Sequence, residues 1–203
     1  TSPGAGYAYK ADNGFALSSN FASKDGHTSS GMLTAESMDS WATQIGITKP
    51  NYSASLIVNM KYNGWPDSYY STANGGARPS SADSTNYGLR GWWRPDGSGT
   101  AVPSISLGYD TSSIEAQNQD TNAYFVGLTW LDAINPDDRI GVAFGQPQTR
   151  DDETVDPFAW EAYYSYPIND SVSVTPAVFG TKDFNGTASR DVYGAVLETT
   201  FKF

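Results

Sequence analysis

The chain contains no cysteine and a single histidine, His27. The first absence excludes disulfides, cysteine-ligated zinc, iron–sulfur clusters and a cysteine nucleophile. The second excludes a metal site built from several histidines. It also leaves Ser-His-Asp chemistry resting on one residue in a loop rich in Gly, Ser and Asp. Charge is sparse, at 17% of residues, and unbalanced: 12 Lys+Arg stand against 22 Asp+Glu, a net charge of -10 over 203 residues. A chain without a basic stripe cannot displace counterions from phosphates, so nucleic acid is not an expected partner. No apolar run approaches the roughly 18–20 residues of a membrane-spanning helix. Strands are a separate matter, because a β-strand crosses a bilayer in about 9–11 residues with only one apolar face.

What is plentiful is aromatic and small. Hydrophobic residues make up 38% of the chain, and 14% of it is aromatic, with 13 Tyr, 9 Phe and 6 Trp beside 20 Gly. Polarity alone would suggest disorder, but the aromatic content argues against it. Few charges with many aromatics, Gly, Ser and Thr point to an all-β chain.

Helical periodicity is almost absent and alternation is common. Phe158, Trp160, Ala162, Tyr164 and Tyr166 alternate with Ala159, Glu161, Tyr163 and Ser165. Tyr52, Ala54, Leu56, Val58 and Met60 alternate with Ser53, Ser55, Ile57, Asn59 and Lys61. Eleven strands are expected, at 5–12, 15–23, 39–49, 51–62, 86–94, 101–111, 121–132, 139–147, 157–168, 172–180 and 191–203. Tight turns at 12–14, 49–51, 95–100, 135–138 and 169–171 alternate with longer loops at 24–38, 63–85, 112–120, 148–156 and 181–190. Short connections on one end and long ones on the other are the habit of an up-and-down outer-membrane barrel. The expected fold is therefore an antiparallel up-and-down transmembrane β-barrel. An odd strand count puts the two chain ends on opposite sides, whereas bacterial barrels have even counts. The expectation is that upstream strands precede this segment and that the whole barrel has about sixteen or eighteen strands, a size that leaves an aqueous channel.

Alternation also sorts the side chains. A Lys or Arg facing lipid at the bilayer midplane costs about 2–4 kcal/mol. Charged and polar residues of the inward parity in alternating strands should therefore line water: Gln44, Asn59, Lys61, Arg90, Arg94, Glu161, Glu198, Thr200 and Lys202. Such residues set ion preference in pores. Trp41, Trp93, Trp130, Trp160, Tyr166, Phe201 and Phe203 fall at or near strand ends. Rings with one polar atom favour the membrane interface. The 63–85 loop, with Trp65, Tyr69, Tyr70 and Arg78, is a candidate to fold into the pore. Asp151, Asp152, Glu153 and Asp156 do not match an EF-hand and read as a solvated acidic loop. The competing class is a secreted or surface carbohydrate-binding protein, a lectin-like sandwich using Tyr and Trp platforms. A barrel enzyme would need His27 or a carboxylate pair, and no pair stands out.

The last 80 or so residues carry more specific marks. They include Tyr124-Phe125-Val126-Gly127-Leu128-Thr129-Trp130, Asn135-Pro136-Asp137-Asp138-Arg139 and Phe144-Gly145-Gln146-Pro147. Val172-Ser173-Val174-Thr175-Pro176-Ala177-Val178-Phe179 follows, and the chain ends on Phe201-Lys202-Phe203, resembling the terminal strand by which outer-membrane barrels are recognised for assembly. This region resembles the C-terminal barrel of cyanobacterial outer-membrane porins of the carbohydrate-selective OprB-type family. The resemblance implies a water-filled channel for passive diffusion of small solutes and ions, with outer-membrane lipid as its surroundings and no cofactor, metal or catalysis. It also implies an upstream surface-layer-homology domain that holds peptidoglycan. A homotrimer, common among porins, is the expected assembly.

Overall fold

The computed structural model describes residues 2–29, 31–65, 83–114 and 119–202. Eleven strands run in chain order: β1 Gly4–Lys10, β2 Phe15–Ser23, β3 Asp39–Thr48, β4 Tyr52–Lys61, β5 Ser84–Trp93, β6 Ser104–Ile114, β7 Gln119–Leu131, β8 Arg139–Arg150, β9 Phe158–Asn169, β10 Val172–Lys182 and β11 Val192–Phe201. Each pairs antiparallel with the next, in one sheet of order β1 to β11. Among the described residues β1 and β11 do not pair, so the sheet is open, and no second sheet packs on it as a sandwich would require.

The tight turns form for local reasons. Between β1 and β2, Gly14 takes φ +87°, where a side chain would be strained, and the Asn13 carboxamide oxygen accepts the Phe15 N–H at 3.0 Å. Between β7 and β8, Asp138 is buried and organises the turn. Its Oδ1 accepts the N–H of Ala133 at 2.7 Å, and its Oδ2 accepts those of Ile134 and Asn135 at 3.1 and 2.8 Å. The Tyr164 hydroxyl of β9 donates to the same Oδ2 at 2.9 Å.

Two expected connections are corrected. The 95–100 turn is longer than expected, spanning 94–103, and β6 runs on to Ile114 while β7 begins at Gln119, inside the expected 112–120 loop, so the short–long alternation fails at β6. Val102 lies in the turn and is 52% exposed, because Pro103 after it has no N–H for the ladder. At the other end, Ser112, Ser113 and Ile114 stay paired with Asn86, Thr85 and Ser84 despite their turn-like composition. The expected 148–156 loop also begins late. β8 continues to Arg150 through an irregular register beside Asn122 and Tyr124, where Pro147 lies within the strand.

Candidate functional site

Directly paired residues project to the same side of a sheet, so the register defines two faces. One apolar row runs Phe15, Ile47, Ala54, Gly91, Leu107, Val126, Phe144 and Trp160, from β2 to β9. Five residues away in each strand, and so of opposite parity, the other face carries the row Asn20, Ala42, Asn59, Asn86, Ser112 and Thr121. Among the described residues Ile114 and Pro157 are the buried large apolar side chains, whereas Leu89, Leu107, Tyr193 and Leu197 are between 51% and 68% exposed. The sheet has an apolar surface where a soluble domain has a core.

Gln44, Asn59, Lys61, Arg90, Glu161 and Glu198 all fall on the polar face, and Arg94 and Lys202 continue its parity just beyond β5 and β11. Gln44, Arg90, Glu161 and Glu198 are exposed there, Asn59 is half-buried and Lys61 is buried. Thr200 shares this face and donates to Glu198 at 3.1 Å. Arg94 donates from Nε to the Pro50 carbonyl at 2.9 Å, which ties it to the turn before β4.

Trp41, Trp93, Trp130, Trp160, Tyr166 and Phe201 occupy the apolar face. Phe203, Tyr69, Tyr70 and Arg78 lie outside the described residues. Trp41 sits near the long-loop end of β3, where its ring meets Phe21 edge-on at 6.2 Å and its indole N–H donates to Ser19 at 2.7 Å. Trp93 and Trp130 sit at the opposite end, and the Trp130 N–H donates to the Ala101 carbonyl at 3.0 Å. Between these ends the row Ile45, Leu56 and Leu89 is aliphatic on β3 to β5 and continues through Tyr109 and Tyr124 on β6 and β7.

The alternation did not single out several polar-face residues that the register brings together. Asp110 accepts from Arg90 Nη2 at 2.7 Å, and the Arg90 guanidinium also lies 5.7 Å from the Phe125 ring centre. Asp110 falls near the end of the expected 101–111 strand, where its parity with Ser106 and Gly108 is the available signal. Phe125, Tyr163 and Phe179 are aromatic but lie on the polar side, each over a glycine of an adjacent strand. A Cβ on Gly108 would stand 2.0 Å from Phe125, one on Gly141 would stand 2.1 Å from Tyr163, and one on Gly194 would stand 2.4 Å from Phe179. The rings cover glycine backbone.

The acidic loop after β8 closes on its own cation. Arg150 Nε is 3.1 Å from Asp152 and its Nη2 3.8 Å from Glu153, and the Arg150 N–H donates to Glu153 at 3.0 Å. No group of three or more metal-ligating side chains occurs among the described residues.

Antiparallel strands paired in chain order, apolar on one side and polar on the other, are the strand arrangement that closes into outer-membrane β-barrels. No protein-family model matches the chain, and no curated protein matches it. Among solved structures, the chain is similar to OmpT, an outer membrane protein of Vibrio cholerae, folded in vitro and in trimer form. The TM-score is 0.51 at 14% sequence identity, over 97% of this chain and 61% of that one. The likeness is one of fold, and the chain spans less than two thirds of that protein's length.

Proposed function

We propose that this chain is the channel-forming part of a bacterial outer-membrane porin, of the OprB-type family that its last 80 or so residues resemble. Small hydrophilic solutes and ions diffuse through it passively, without catalysis or a cofactor. The observation that carries this reading is the division of the sheet into one apolar and one polar face with almost nothing buried between. In water such a sheet would expose its aliphatic band. In a bilayer that band meets hydrocarbon, the aromatic ends meet the headgroups, and the polar face lines water.

A bilayer interior tolerates no unpaired strand edge. The edges of β1 and β11 are therefore completed by further strands in the working barrel. The similarity to only 61% of a larger outer-membrane protein supports that closure. The trimer form of that protein supports a trimeric porin here as well.

Ion preference follows from the charges. The long-loop end carries Asp25, Glu36, Asp83, Asp120 and Asp151 on or beside its connections, and Arg150 compensates only Asp152 and Glu153. An acidic mouth concentrates cations by focusing the field. On the polar face the Arg90–Asp110 pair is close to neutral.

Planar-bilayer recording tests the proposal. Stable, stepwise conductance from the folded, membrane-inserted protein is expected, with a permeability ratio of cation to anion above one at low salt. Silence from folded, inserted protein would contradict a porin.

A further inference from the structure

The connection between β2 and β3 is tied to the apolar side of the sheet. Ser23 and Asp39 close the β2–β3 ladder as direct partners, and both share the parity of Phe21 and Trp41. Both are buried under the connection. Ser23 Oγ donates to the Gly31 carbonyl at 2.8 Å, and Ser37 Oγ donates to Asp39 Oδ2 at 2.5 Å. The Ser37 N–H closes a turn onto the Thr34 carbonyl at 3.2 Å. From the other side, the Asn63 carboxamide donates to the carbonyls of Ala35 and Ser37 at 3.0 and 2.7 Å. Between these anchored residues stand Met32 and Leu33. Leu33 is 74% exposed, more than any other large hydrophobic side chain among the described residues. It also takes φ +57°, whereas the six other non-glycine residues at positive φ among the described residues are Asn, Asp or Ser. Short polar side chains tolerate that region, and a bulky apolar one is held there only by its surroundings. In water Leu33 is unfavourable on both counts, by its exposure and by its backbone.

We propose that Met32 and Leu33 insert into the acyl chains of the surrounding lipid leaflet and anchor this rim of the sheet at the hydrocarbon boundary. The proposal rests on the membrane reading only in that the apolar face must meet lipid, and it needs no open pore. Position favours lipid as the occupant. The anchors Ser23 and Asp39 lie one step beyond Phe21 and Trp41 on the same face, and that edge-on pair, at 6.2 Å, is of the kind that marks the membrane interface. Size favours lipid over a second protein. Two side chains fall far short of the roughly 1,200 Å² that a stable protein interface buries. Transfer of aliphatic surface into hydrocarbon is non-directional and needs no complementary partner. Charge does not oppose insertion, since residues 31–35 carry none and Glu36 is the first charge beyond them.

The test uses the full chain folded into vesicles, carrying one fluorophore-labelled cysteine, with acyl chains that are either brominated or not. A label at Leu33→Cys should be quenched by brominated chains, as should one at Leu56→Cys on the apolar face. Both should be quenched several-fold more than labels at Ser55→Cys, on the polar face, and at Ala188→Cys, on the exposed connection before β11 at the same end. Quenching at Leu56→Cys without quenching at Leu33→Cys would overturn the anchor and leave the membrane reading standing. No quenching at Leu56→Cys would overturn that reading, and the anchor with it. A Leu33→Cys label shielded from aqueous iodide yet unquenched by brominated chains would mean a protein occupant, which overturns the lipid one. Leu33→Asn gives a second measurement, because Asn suits φ +57° but lacks the aliphatic body. It should lower the urea midpoint in vesicles. A midpoint unchanged or raised would show that Leu33 stands strained in water, and would overturn the anchor.

Discussion

The two faces of the sheet are built from the same strands, yet they obey opposite rules. On the apolar face, Ile45, Leu56 and Leu89 lie side by side with no charge among them. One residue along each strand, the polar face places Arg90 against Asp110 and leaves Glu161 without a partner among the described residues. The difference teaches where the stabilising medium must be. A soluble β-domain buries its apolar face against a second layer. Here no second layer exists among the described residues, and the exposed aliphatic band takes the place of a core. Each face then has its own tolerance to substitution, and the predictions below use that difference.

The largest expected effect comes from charging the apolar face. Leu56→Lys places an ammonium between Ile45 and Leu89, and at the bilayer midplane this costs about 2–4 kcal/mol. Ser55→Lys, on the other face of the same strand, should change stability by less than about 0.5 kcal/mol, as surface changes usually do. Urea unfolding of protein inserted in vesicles measures both. Equal losses would break the distinction between the faces.

Next comes the packing of the polar-face rings over glycine. Gly108→Ala would put a methyl within 2.0 Å of Phe125, so the ring must lift off the sheet. Overpacking of this kind costs about 1–3 kcal/mol, and the raised ring should lower single-channel conductance. Gly97→Ala, with nothing within 4 Å of the added methyl, is the control. Unchanged conductance in the first variant would show that ring height does not shape the water path.

A smaller effect concerns the turn before β8. Burial works to raise the pKa of Asp138, but the hydrogen bonds from the Asn135 N–H, the Tyr164 hydroxyl and the Ala133 and Ile134 N–H groups outweigh it. They hold the carboxyl below its ordinary 3.8. A folded pKa below the unfolded one contributes stability that is complete above about pH 4 and is lost as pH falls through the folded value. Asp138→Asn should therefore destabilise the protein at pH 7 and lose that penalty progressively below pH 4. A penalty independent of pH in vesicle unfolding would mean that the charge of Asp138 contributes nothing.

Much of the fold was legible because period-two alternation is the direct imprint of a two-faced sheet. Alternation from Tyr52 to Lys61 and from Phe158 to Tyr166 placed the strands and sorted Asn59 and Glu161 from Leu56 and Trp160. What failed were places where composition and hydrogen bonding disagree. Ser112 and Ser113 look like a turn but remain in the ladder, and Val102 looks like strand but precedes a proline. Tyr163 shares the parity of Glu161 and Ser165 and was sorted with them, but Phe125 and Phe179 were hidden for a different reason. Alternation assigns an aromatic to the apolar side by default, and only the pairing of each ring with a cross-strand glycine explains how it sits on the polar one. The Arg90–Asp110 pair was hidden because sequence does not state register.

The most direct test of the two-faced account uses the absence of cysteine from the chain. Single cysteines placed at each position from Tyr52 to Lys61 can be exposed to a charged, water-soluble thiol reagent after insertion in vesicles. The account predicts alternate reactivity, with Ser53, Ser55, Ile57 and Asn59 positions labelled and Ala54, Leu56 and Val58 positions protected. Uniform labelling along the strand, or the opposite alternation, would contradict it.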